Sequence, residues 1–238
     1  MSGTKVEHQS AFLLQAHPWR ETSLVVDVFS REAGRLSMVA KGARRPQSQL
    51  RGVLMAFQPL LVSWSGRGEV KTLTSAEWTG GQPLLAGAAL MCGYYVNELL
   101  TRLLPREDPH PALFDRYCDL LKGLSQNAPQ DILLRRFELA LLRELGYAPT
   151  LDHDIDGEPV DAQSDYVFII EQGPARARPD AGDLPRIGGQ ALLDLAHERL
   201  EAADTLAQAK GLMRRLIQHL IGAHALESRR IFMELQEL

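Results

Sequence analysis

Cysteine is scarce in this chain: only Cys92 and Cys118 occur, far apart and both inside helical patterns. That excludes a disulfide framework and a cysteine zinc cluster. The seven histidines offer no HExxH and no His/Cys pairing at ligand spacing, and His153, between Asp152 and Asp154, reads as a solvated loop residue. No metal is expected. Long apolar runs are missing too. The longest weakly polar stretch, Leu84 to Val96, is too short to cross a bilayer and continues into Asn97 and Glu98, so it reads as a buried helix. The opening MSGTKVEHQS has no apolar signal region, and a cytoplasmic location is expected. Also absent are a GxxxxGK[ST] phosphate loop, a GxSxG elbow and any paired carboxylates beyond surface clusters. Gly66-Arg67-Gly68 reads as a hairpin turn, and no flanking cation or histidine activates either cysteine. The expectation is a protein that is not an enzyme and needs no cofactor.

What is present is ordinary in amount and uneven in distribution. The chain has 238 residues, 45% hydrophobic and 24% charged, enough for a real core. Its net charge is −4, yet residues 1–80 carry ten Lys or Arg against six Asp or Glu, and the remainder carries sixteen against twenty-four. A basic module is joined to an acidic one. A local positive field attracts polyanions whatever the overall charge.

The hydrophobic period divides the chain at the same place. AFLLQA, SLVVDVFS, RLSMVA, LLVSW and VKTLTSAE read as five short strands, separated by His17-Pro18, Glu32-Ala33-Gly34, the loop after Ala40 and Ser65-Gly66-Arg67-Gly68. Five strands in this length suggest a small barrel, with an OB-fold leading and an SH3-like barrel giving much the same string. After Gly80-Gly81-Gln82-Pro83 the spacing becomes helical: Leu84 to Leu104, Ala112 to Leu124, Asp131 to Leu145, then about Gln190 to Leu200, Ala203 to Ile221 and from about Ser228. Within the Asp-, Gly- and Pro-rich stretch between them, YVFII reads as a strand with ARARP as its possible partner. The fold class is α+β: an OB-fold barrel over 1–80, then a mainly helical domain over 81–238 with a small β-containing insert at about 147–188.

The loop VAKGARRPQSQLRG concentrates Lys41, Arg44, Arg45 and Arg51, with Arg35 nearby, around few apolar anchors. Gly42 permits close backbone approach, Pro46 fixes a φ, and Ser48 and Gln49 offer uncharged donors, as a loop tracking phosphates requires. A merely solvated turn is the alternative. Of the neighbouring rings, Phe29 and Phe57 read as core, leaving Trp19 and Trp64 as the better candidates for stacking on bases. With Arg20 and Lys71 as support, the loop would contact phosphates without sequence preference. On the third helix, Leu142, Arg135, Leu139, Arg143 and Arg136 fall within an arc of about 120°. That mixed face would suit an acidic peptide ending in apolar residues; the alternative is arginines lying over helix neighbours.

The segments HPWRETSLVVDVFS, GRLSMVAKGARRPQS, GRGEVKTLTSAE, LLRRFELALLRELGY and HALESRR, in this order and spacing, resemble the bacterial recombination mediator family RecO over almost the whole chain. The resemblance implies an N-terminal OB-fold, binding of single- and double-stranded DNA, strand annealing, partnership with RecR, and help in loading RecA onto DNA coated with single-strand binding protein, in the cytoplasm at the nucleoid. It further implies that the acidic C-terminal tail of single-strand binding protein is the peptide for Arg135, Leu139, Leu142 and Arg143. Some members bind zinc through four cysteines after the GY turn, whereas LDHDIDGEPVDAQSDYVF has none; Val160, Tyr166, Phe168 and Ile170 are expected to pack in their place. Two other classes fit the bare residues: an OB-fold RNA-binding or translation accessory protein, and an adaptor whose helices bind protein only.

Overall fold

Alternation at period 2 places Val26, Val28, Leu36, Met38, Leu60, Val62 and Leu73 on one side of their strands, and these side chains fill the interior of a barrel. In the computed structural model, which describes residues 5–178, 185–222 and 225–236, the strands are β1 (Lys5–Trp19), β2 (Ser23–Ser30), β3 (Gly34–Ala40), β4 (Pro59–Ser65) and β5 (Val70–Trp78). They close in the order β1-β2-β3-β5-β4, antiparallel except for the short β3–β5 pairing, Ser37–Val39 against Val70–Thr72. This is the OB arrangement, and the overall class is α+β as the periodicity predicts. A four-residue helix, α1 (Leu50–Val53), escaped the sequence reading. The His17-Pro18 break does not occur: β1 runs through it, Pro18 pairing with Leu24, and the hairpin turns at 20–22.

The barrel is covered on its outside by helices, and the sequence explains how. Phe12 and Phe29 point away from the barrel interior and would be exposed without cover. They meet Phe114 and Tyr117 of α3 (Pro111–Ser125), with ring centroids 5.1–6.1 Å apart. Residue Asn97 of α2 (Gly87–Leu103) fastens that helix to β1. Its buried amide donates to the carbonyls of Leu13 and Leu14 at 3.4 and 2.9 Å, where β1 bulges, and it accepts from the Tyr117 hydroxyl at 2.6 Å. Replacing Asn97 with leucine strands these groups in an apolar setting, and urea unfolding should show a loss of about 2–4 kcal/mol.

The compact units do not divide where the period changes. One comprises Met1–Ala128 with Ala225–Leu238, the other Pro129–His224. The first therefore takes in α2, α3 and α7 (Glu227–Gln236) beside the barrel. Helix α7 is fastened to α2 through Glu98, whose carboxylate accepts from the backbone N–H groups of Glu227 and Ser228 at 2.9 Å each and from the Ser228 hydroxyl at 2.7 Å. Burial alone would raise that carboxyl's pKa; these donors and Arg102 outweigh it and hold it below the ordinary value. In the second unit, α4 (Gln130–Glu144), α5 (Gly189–Ala196) and α6 (Ala203–Ile221) enclose a core with one face of a three-stranded sheet. That sheet has the order β7-β6-β8, from Gly173–Arg176, Asp165–Ile169 and Arg186–Gly188. The segment ARARP thus pairs with YVFII by way of residues 173–176, while its Pro179 and the His224 of HALESRR lie outside the described residues. Val160, Tyr166 and Phe168 are buried in this core and Ile170 is partly so, as packing in place of ligation requires. Among the described residues no helix is long and apolar enough to cross a membrane, and no three His, Cys, Asp or Glu converge on a metal position.

Candidate nucleic-acid interface

The segment after β3 is a fastened loop. Successive turns close it, Arg45 N to Gly42 O at 3.0 Å, Ser48 N to Arg45 O at 3.0 Å and Arg51 N to Ser48 O at 3.2 Å. Gly42 stands at φ +68°, the left-handed region that glycine enters without strain, and a Cβ placed on it would meet the Arg45 side chain at 3.5 Å. Ala43 is buried in the barrel core, with Leu50, Val53 and Leu54 packed partly against it. Two strands of chain brace each other here: Arg44 N–H donates to the Thr22 carbonyl at 2.9 Å, and Arg44 Nη1 to the Arg20 carbonyl at 3.4 Å. The β1–β2 hairpin tip, with Trp19 and Arg20, therefore belongs to the same surface.

On this surface Arg20, Lys41, Arg44, Arg45 and Arg51 are all exposed. Among the described residues none of them is within ion-pair distance of a carboxylate, whereas Arg31, Lys71, Arg102, Arg135, Arg136, Arg143, Arg176, Arg199 and Lys210 each are. Unpaired cations braced by backbone bonds are prepared for an external anion. Trp19, 47% exposed, stands beside them.

Three expected members of the site are placed elsewhere. Lys71 is buried and its ammonium is taken by Glu107 Oε1 at 2.8 Å and the Gly68 carbonyl at 2.9 Å. Arg35 donates Nε to the Leu104 carbonyl at 3.0 Å, and its partial burial lowers its pKa. Trp64 is only 4% exposed, sharing the inward parity of Val62. Glu107 and Leu104 come from the link between α2 and α3, too distant in sequence for spacing to reveal. Exposed rings of the first 128 residues that the sequence reading missed are Trp78, 53% exposed at the end of β5, and Tyr94 on α2, stacked edge-on against buried Phe57 at 5.1 Å. Parity held the signal for Trp78: five residues beyond inward Leu73, it must point outward.

The same link closes the far end of β2 and β3. A Cβ on Gly34 would stand 2.0 Å from the Asp108 carbonyl oxygen, Glu107 N–H donates to the Arg35 carbonyl at 2.9 Å, and Arg31 clasps both Asp115 oxygens at 3.2 and 3.0 Å. The β2–β3 face on which OB-folds hold oligonucleotides is covered there. The basic loop lies at the other end, beside Leu24.

The mixed face of α4 requires correction. Leu139 and Leu142 are core residues, and Arg135 is buried, its Nη2 2.6 Å from Glu138 Oε1. Arg143 and Arg136 lie at the edge of this buried stripe and bond Glu198 and Glu201 between α5 and α6, at 2.6 and 3.4 Å. The arc that reads as an open peptide platform is the seam by which α4 docks inside its own unit, its leucines buried and its arginines paired along the rim. The Cys118 thiol is pushed up to about 11 by burial and by Asp115 and Asp119, which disfavours a thiolate nucleophile.

A closed five-stranded barrel with an unpaired cationic loop, joined to helices that carry a small second sheet, defines an OB-fold protein with an appended helical region. Residues 1–82 match the family model described as Recombination protein O N terminal, and residues 85–230 match Recombination protein O C terminal. The chain is 60% identical over 235 residues to the DNA repair protein RecO of Aromatoleum aromaticum, with 98% of each chain covered. It is 57% identical over 238 residues to that of an Azoarcus species, again with 98% of each covered, and 50% identical over 238 residues to that of Dechloromonas aromatica, with 99% and 98% covered. The chain belongs to the RecO family, and its role lies in DNA repair and recombination.

Proposed function

We propose that the protein binds single- and double-stranded DNA through the basic loop and the β1–β2 hairpin, anneals complementary strands, and with RecR helps to load RecA onto DNA coated with single-strand binding protein, whose acidic tail is a further partner. The observation that carries this reading is the set of five exposed cations, Arg20, Lys41, Arg44, Arg45 and Arg51, left without carboxylates among the described residues of an acidic chain. Each phosphate they neutralise releases counterions, giving affinity that falls with salt and ignores sequence. Neutralising two strands at one surface brings them together, and pairing then follows without any bond being broken. ATP has no part in such a step.

A salt titration against labelled single-stranded DNA and RNA of equal length tests the proposal. Log affinity for DNA should fall linearly with log salt, by a slope of about 3.5 if five phosphates are held on a single strand. A flat dependence would refute the phosphate surface. Clearly tighter binding of RNA would transfer the protein to the RNA-binding alternative, since the 2′-hydroxyl is the feature that separates the two.

A further inference from the structure

Beside the basic loop lies an open cleft of about 280 Å³, lined by Leu24, Ala43, Arg44, Leu50, Arg51 and Leu54. We infer that it receives one unstacked nucleobase of a single strand, a role that rests on the DNA-binding reading above and adds a base-capturing site to it. The lining is what separates a base from a bare phosphate. Leu24, Leu50 and Leu54 are only partly buried against the barrel core, so they present an apolar surface that a hydrated phosphate gains nothing by meeting. Arg44 and Arg51 supply planar guanidinium groups, which stack on π-faces and are weakly hydrated. Both are exposed and, among the described residues, outside ion-pair distance of a carboxylate; Arg44 would exchange its 3.4 Å bond to the Arg20 carbonyl for the ring.

The surroundings select the occupant. Lys41, Arg45 and Arg20 extend the positive rim, so whatever enters the cleft arrives on a chain carrying repeated negative charge. The far end of β2 and β3 is covered by the α2–α3 link, and the cleft stands at the other end, beside the basic loop. In a duplex both faces of every base are already stacked, so only an unpaired base can enter without an unstacking cost. The cleft therefore favours single strands over duplex and holds a base unstacked until its complement replaces the leucines.

The full-length protein can be tested with an oligothymidylate and an abasic strand of equal length, which carry the same phosphates and differ only in bases. At fixed salt, fluorescence anisotropy should give about tenfold tighter binding of the oligothymidylate, as expected for one stacked base. Arg51→Lys keeps the charge and loses the plane; it should bring that preference down to about twofold. Measuring a ratio of affinities, with circular dichroism confirming the fold, removes any general change in phosphate binding. Equal wild-type affinity for the two strands, or an undiminished preference in Arg51→Lys, overturns the base site while leaving the phosphate surface standing. Failure of both strands to bind would overturn the DNA reading itself.

Discussion

Arg135→Glu is expected to destabilise the fold by about 3–5 kcal/mol, a large part of the stability of an ordinary domain. The guanidinium and Glu138 are a buried pair, with side-chain exposures of 6% and 1% and a separation of 2.6 Å. Taking both charges from water was costly, and the attraction between them offsets that cost only while both are present. A glutamate at 135 removes the cation and sets a second carboxylate beside a carboxylate that cannot reach solvent. Arg136→Glu is the informative neighbour. That guanidinium is 40% exposed and 3.4 Å from Glu201, itself 71% exposed, so its loss should cost less than about 1 kcal/mol. Adjacent arginines thus give a large and a small loss in urea denaturation. Joint replacement by Arg135→Met and Glu138→Leu should recover most of the loss, because it removes both buried charges together. An Arg135→Glu protein that unfolds like the wild type would mean that the pair opens to water.

The contrast between Arg135 and Arg136 shows how far a sequence can be read. The i, i+3 spacing of Arg135 and Glu138 is visible in the letters, but which stripe of α4 is buried depends on Tyr166, Phe168, Leu195 and Leu212, contributed by elements far along the chain. Helical periodicity orders residues around an axis without saying which arc faces a neighbour. Strands are easier, because one inward residue fixes the parity of the rest. SLVVDVFS was legible to the residue for that reason, and Trp64 could have been assigned to the core from Val62. Parity says nothing about a barrel's outside. Phe12 and Phe29 are on that side and are nonetheless buried, since α3 covers them. Lys71 and Arg35 were lost from the site by the same long-range effect, acting through Glu107 and Leu104. The basic loop was legible because its cations are local, numerous and close to a glycine and a proline. What the letters could not show is that Thr22 and Arg20 brace it.

Arg44→Ala combined with Arg45→Ala should flatten the dependence of log affinity on log salt by about 1.4 units for single strands and about 1.8 for duplex, since two phosphate contacts are lost. The fold should survive the change. Arg44 holds the hairpin through its backbone N–H, which alanine retains, and only the 3.4 Å bond from its side chain to the Arg20 carbonyl disappears. Annealing should slow in parallel, because it uses the same neutralised surface. The control removes the same number of charges from the other unit: Arg136→Ala with Arg143→Ala takes away cations already engaged by Glu201 and Glu198, and the salt slope should stay where it is. Comparing the two double mutants separates local charge from net charge, which falls equally in both. If the slopes of the two proteins change alike, affinity follows net charge and the loop has no special part. If only the Arg44 and Arg45 variant changes, phosphates are held where the chain leaves its cations unpaired.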